Sequence, residues 1–131
     1  MKYVYNAIRT PDGTIIESRH RHDYVTYTDK NGSQYMVDGG LEYLRRGWGE
    51  SRDYEDISVA LEDGHEKVRQ ACKWGTYGKD GKQPYREVKL CDMEDDHIRA
   101  CLETQRIHPH YADAFRTELE YRHEIKTDSY K

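Results

Sequence analysis

The feature that most constrains this chain is a change in the period of its apolar residues. Through residues 1–40 they alternate with polar ones, in Tyr3-Val4-Tyr5 through Ile8, Thr14-Ile15-Ile16, Tyr24-Val25-Thr26-Tyr27 and Gln34 to Val37. A period of two is the mark of half-buried strands. From residue 92 onward the spacing becomes three and four, in Ile98, Cys101, Leu102 and Gln105 and then in Tyr111, Ala112, Phe115 and Leu119. That is the period of a helix with one apolar face. Strands followed by helices define the α+β class, with an N-terminal antiparallel β-meander and two C-terminal helices.

The punctuation agrees with the periods. Pro11-Asp12-Gly13 and Asp29-Lys30-Asn31-Gly32 supply turn residues between strands, so four strands are expected to form one meander closing at Gln34 to Val37. Asp38-Gly39-Gly40 ends it, and Leu41 to Arg46 reads as one or two helical turns. Gly47 to Ser58 is polar and reads as a surface connection. Asp63 is placed to cap a helix from His65 to Trp74, with Val68, Ala71 and Cys72 on its inner face. A glycine-rich loop, Gly75 to Pro84, then leads into a strand-like run from Tyr85 to Leu90. Asp92 is the expected N-cap of the next helix, and His108-Pro109 opens the last.

With 131 residues the chain is expected to be one domain, β-rich over 1–40, mixed over 41–91 and helical over 92–126. Hydrophobic residues make up 35% of it and charged residues another 35%, which leaves a thin core and favours a homo-oligomer with ligand clefts between subunits. No apolar run is long enough to cross a membrane, and Met-Lys-Tyr-Val-Tyr lacks the apolar region of a secretory signal, so the cytoplasm is the expected compartment. Cys72, Cys91 and Cys101 form no CxxC pair, which argues against a disulfide framework or a zinc knuckle. The net charge of -4 argues against general affinity for nucleic acid polymers. The charge is unevenly spread: Glu50 to Glu66 carries seven acids and one base, and Lys67 to Lys89 seven bases and two acids.

Three features carry chemistry. Arg19-His20-Arg21-His22-Asp23 concentrates cations between the second and third strands; on a strand Arg19 and Arg21 would share one face, fit to grip a phosphate. Trp74-Gly75-Thr76-Tyr77-Gly78-Lys79 combines aromatic faces with glycines that permit close backbone approach, but it lacks the spacing of a P-loop. Twelve tyrosines against one phenylalanine suit wet sheets, interfaces and base-stacking pockets. Arg45-Arg46, Arg116 and Arg122 are further phosphate candidates, each with an ordinary salt-bridge alternative. His20-x-His22 and His108-x-His110 raise a metal site only weakly, and His108 is accounted for as a helix-entry residue.

Five stretches carry a resemblance: Ile8 to Thr14, Ser18 to Tyr24, Val37 to Gly40, Tyr43 to Arg46, and Trp74 to Pro84. They resemble small phage proteins of the first-described Thoeris anti-defence family, over most of the chain from Ile8 to Arg122. Members of that family sequester cyclic ADP-ribose isomers made by TIR-domain enzymes, and some hold cyclic oligonucleotides, without cleaving them. The resemblance implies an oligomer built from dimers, acting in the infected host bacterium, with arginines and aromatic residues in its ligand pockets.

On this reading the ligand-binding residues are Arg19, Arg21, His22, Arg45, Arg46, Trp74, Thr76, Tyr77, Lys79, Arg116 and Arg122, with arginines on the pyrophosphate and Trp74 and Tyr77 on the base. No catalytic residue, metal or cofactor is called for, since capture without turnover needs only preorganised charge and aromatic surface. Two rival readings stand beside it. One is a phosphodiesterase or glycohydrolase that degrades such a signal with His20, His22 or His97; the other is a regulator that binds a host protein through the acidic stretch from Glu50 to Glu66.

Overall fold

The computed structural model describes residues 1–46, 53–78, 81–104 and 106–129. The fold is α+β, with antiparallel strands first and helices after, and the chain divides into two compact units, Met1–Glu62 and Asp63–Lys131.

The N-terminal unit is built around β1 (Tyr3–Arg9), whose alternation buries Val4, Asn6 and Ile8. β2 (Ile15–Ser18) returns antiparallel along one edge, from Arg9 opposite Ile15 to Asn6 opposite Ser18. Thr10 and Thr14 close the turn between them, and Gly13 supplies its φ of 90°. β3 (Val25–Thr28) and β4 (Gln34–Val37) form a second hairpin, with Val25 opposite Val37. Ile8, Ile16, Tyr35 and Val37 make the core, and Val25, Tyr27 and Tyr54 pack against it.

The four expected strands are present, but they form two hairpins rather than one meander. After Ser18 the chain leaves the sheet: the hydroxyl of Ser18 donates to the Asp23 carbonyl at 2.7 Å, and the Arg19 amide donates to the Asp23 carboxylate at 2.8 Å. Those bonds satisfy the backbone locally, so β2 and β3 do not pair. The other edge of β1 is taken by two short strands, β5 (Glu55–Asp56), inside the stretch that reads in sequence as a plain connection, and β6 (Val59–Ala60), just after it. Leu41 to Arg46 is not helical. Asp38 bridges to Arg45, and the Glu42 amide closes a turn on the Gly39 carbonyl at 3.0 Å.

In the C-terminal unit, α1 (His65–Ala71) starts at Gly64 rather than Asp63, because the Gly64 carbonyl accepts the first helical bonds. It ends at Ala71, short of Trp74, as Cys72 turns extended. β7 (Lys73–Thr76) follows, where the glycines predict a loop, and pairs with β8 (Arg86–Lys89) in the register Trp74 opposite Val88 and Thr76 opposite Arg86. Gly75 is tolerated in that strand because the Tyr85 ring lies over it; a Cβ there would come within 2.4 Å of the Tyr85 hydroxyl. Leu90–Asp92 is a 3-10 turn, and α2 (Asp95–Thr104) begins where the Glu94 carbonyl accepts from the Ile98 amide at 3.0 Å, so Asp92 is not its cap. Gln105 lies outside the described residues. α3 (Pro109–Ser129) opens at Pro109 as expected, with His108 Nδ1 accepting from the His110 amide at 3.1 Å. No helix among the described residues is long and apolar enough to cross a membrane.

Candidate functional site

Each unit holds one candidate site. In the N-terminal unit the structure folds two sequence-distant segments onto each other. Gly39 and Gly40 have φ of 105° and 53°, and a Cβ on Gly40 would lie 2.3 Å from the His20 carbonyl carbon. Only glycine lets the backbone of residues 20–23 come this close. Ser18 ties the two segments together, its Oγ accepting from the Gly40 amide at 2.9 Å. Buried Asn6 braces the second segment, donating from Nδ2 to the carbonyls of Asp38 and Gly40 at 3.0 Å each and of Tyr43 at 3.2 Å. Sequence reasoning misses Asn6 as a site residue. Its signal is a polar residue at an inward position of an alternating strand.

This packing gathers five of the expected binding residues. They do not sit as a strand would place them, because residues 19–23 form a turn, so alternation does not put Arg19 and Arg21 on one face. Arg19 stands 3.6 Å from Glu17, and Arg21 is exposed. His22 adopts φ of 65°, rare for a residue with a side chain, and its Nδ1 shares a hydrogen bond with the Tyr43 hydroxyl at 2.9 Å. Arg45 is exposed and 3.7 Å from Asp38. Arg46 is held more firmly: Nη1 donates to Asn6 Oδ1 at 3.2 Å and Nη2 to Ser58 Oγ at 3.4 Å, while its buried Nε finds no partner among the described residues. Tyr24, 55% exposed, stands at the end of the same turn.

In the C-terminal unit a cleft of about 480 Å³ opens between the β7–β8 hairpin and the start of α2. Its lining includes Thr76, Gly78, Arg86 and Val88 from the hairpin and Met93, Glu94 and His97 from the other wall. Thr76 is buried, and its Oγ1 accepts from the Gly78 amide at 3.1 Å. Arg86 is a second residue that sequence reasoning misses. Its signal is the pairing of a strand-like run with the glycine-rich segment, which places it opposite Thr76.

The remaining expected residues have other surroundings. Trp74 packs edge-on against Phe115, with ring centroids 5.6 Å apart, and against Tyr111 at 6.4 Å. Tyr77 is exposed and pairs with Tyr85 at 5.4 Å, not with Trp74. Arg116 is exposed and 3.6 Å from Asp113. Lys79 lies outside the described residues.

Arg122 takes the salt-bridge alternative. It donates from Nε to Glu118 at 2.7 Å and from Nη2 to the Leu90 carbonyl at 3.1 Å, and Nη1 reaches Asp95. Glu118, which the sequence pattern does not mark, is fully buried and is also held by Arg69 and by His65 Nε2, 2.8 Å away. Burial alone would raise its pKa, but the bonds from Arg69, Arg122 and His65 outweigh burial and hold it at about 2. Its sequence signal is its position three residues after Phe115 on the inward face of α3. Among the described residues no three His, Cys, Asp or Glu side chains gather as a metal would require.

The chain matches no family model, no curated protein and no solved structure in comparisons with known proteins.

Proposed function

We propose that the protein binds and sequesters a cyclic ADP-ribose-type nucleotide without cleaving it, and so shields an infecting phage from a nucleotide-signalled host defence. The observation that carries this reading is the packing of the turn at residues 19–23 against the Gly39–Gly40 turn. Three of the five stretches that carry the resemblance, Ser18 to Tyr24, Val37 to Gly40 and Tyr43 to Arg46, take part in it. The result is a pair of turns joined through Ser18 that carries the cations of Arg21 and Arg45, with exposed Tyr24 at the end of the first turn as a flat face for a base.

Rigidity is what such a function requires. A side chain in the left-handed region, as at His22, is costly for a chain that only needs a surface turn, and strain of this kind collects at ligand clamps. A site fixed in advance loses little entropy on binding, and a closed-ring ligand loses little itself. Sequestration then works by mass action, so the protein must accumulate to the concentration of the signal.

The test incubates the purified chain with a cyclic ADP-ribose isomer made by an activated TIR enzyme, removes free ligand, heats the complex and weighs what is released by mass spectrometry. Intact ligand in proportion to protein supports sequestration. Cleaved ligand favours the hydrolase, and no retained ligand overturns the reading.

A further inference from the structure

We infer that Asn31, in the turn between β3 and β4, is a modification site: its side-chain amide is lost by ring closure onto the Gly32 nitrogen, at a rate held down by the Asp29 carboxylate. The inference rests on this turn alone, and not on the assignment of the basic turns or of any ligand.

The two asparagines of the chain, Asn6 and Asn31, stand in opposite surroundings. Asn6 is fully buried, with Nδ2 donating to three carbonyls and Oδ1 accepting from Arg46. The Ala7 nitrogen that would have to attack it donates to Ser58 Oγ at 3.1 Å. Asn31 is exposed, and the residue after it is a glycine with φ of 82°. Nothing lies within 4 Å of where a Gly32 Cβ would stand, so neither a side chain nor a packed neighbour covers this part of the backbone.

The reaction needs only water. The Gly32 nitrogen gives its proton to a solvent base and attacks Asn31 Cγ; a C–N bond forms, the former amide leaves as ammonia, and a cyclic imide joins the two residues. Water then opens the imide at either carbonyl, leaving aspartate or, with the main chain rerouted through the side-chain carbon, isoaspartate. One water is consumed and one ammonia released, and nothing is oxidised or reduced.

The turn opposes the first step. Gly32 donates its N–H to the Asp29 carbonyl at 3.0 Å, and Asp29 Oδ1 accepts from the amides of Asn31 and Ser33 at 2.9 Å each, on either side of the reacting bond. Asp29 is anchored in turn, its Oδ2 accepting from the hydroxyl of buried Tyr35 at 3.4 Å. Ring closure therefore waits for the turn to open, which slows it by about tenfold relative to the unfolded chain. Isoaspartate lengthens the backbone beside the Thr28–Gln34 pair, so conversion disturbs the hairpin that supplies Tyr35 and Val37 to the core.

The test holds the full chain in mildly alkaline buffer, folded or unfolded in urea, and follows peptide maps by mass spectrometry. In the folded chain the peptide containing Asn31 is expected to gain the mass of an amide-to-acid exchange and to split into two products of equal mass, while the Asn6 peptide stays unchanged. In urea the loss of Asn31 is expected to be about tenfold faster. D29A in buffer closes most of that gap, and circular-dichroism melts show whether this variant is folded; if it is not, the wild-type comparison of buffer with urea decides. The Asp-Gly steps close the same ring without a change of mass, so the gain reports asparagine. An Asn31 that stays intact in the folded chain while the urea sample converts, or an Asn6 that converts as fast, overturns the site. Equal rates in buffer and urea, or a folded D29A that reacts like wild type, overturn the control by Asp29.

Discussion

Glu118 and Arg69 meet as a bidentate pair inside the C-terminal unit, with Arg69 Nε and Nη2 each donating to one carboxylate oxygen at 2.8 Å. The carboxylate is fully buried and serves Arg122 and His65 as well, so its removal takes that counter-charge from Arg69 and leaves Arg122 with Asp95 alone. Glu118→Ala is expected to destabilise this unit by about 3 kcal/mol or more, since breaking a buried pair costs more than the pair contributes. The shift of the urea midpoint checks it.

The same carboxylate sets a pH dependence. Its pKa is lowered in the folded protein from 4.5 to about 2. A depressed carboxylate pKa contributes stability that is fully present above 4.5 and lost as the pH falls toward 2. Wild type is therefore expected to lose its advantage over Glu118→Gln across that window, and thermal melts from pH 7 downward should show the two curves converging.

Gly40→Ala should disturb the N-terminal unit far more than the same change at an exposed glycine such as Gly13. The added Cβ meets the His20 backbone at 2.3 Å, whereas at Gly13, where φ is also positive, nothing lies within 4 Å. The expected cost is about 1 to 3 kcal/mol, together with reduced capture of cyclic ADP-ribose, measured by melts and by the heat-release assay.

Arg21→Ala with Arg45→Ala should weaken capture while leaving the melting temperature close to wild type, because both side chains are exposed. Unchanged capture would mean that the turns do not hold the ligand.

Trp74→Ala separates packing from ligand contact. Its ring lies against Phe115 and Tyr111, so the substitution is expected to cost about 3 kcal/mol of stability even without ligand. A melting temperature equal to wild type would show that this packing does not hold the unit together.

Local signals make much of the fold legible. Asn-Gly and Pro-Asp-Gly place the turns, the period of two places β1 to β4, and Pro109 places the start of α3. What escapes is set by partners distant in sequence. β7 is hidden because Gly75 breaks the strand signal, and only the Tyr85 ring across the hairpin compensates for it. The basic cluster is legible as composition but not as geometry, since the bonds of Ser18 and Asp23 curl it into a turn that alternation does not foresee. Glu118 escapes because an acid on a helix reads as solvent-facing until Arg69 and His65 are known to lie opposite it.

Arg69, Glu118, Arg122 and Asp95 form a row of alternating sign that ties α1, α3 and α2 together. Reversing any one sign sets two like charges against each other, so no member can drift alone without loss. Among related chains these four positions should change as a set, either keeping the alternation or giving way together to apolar residues.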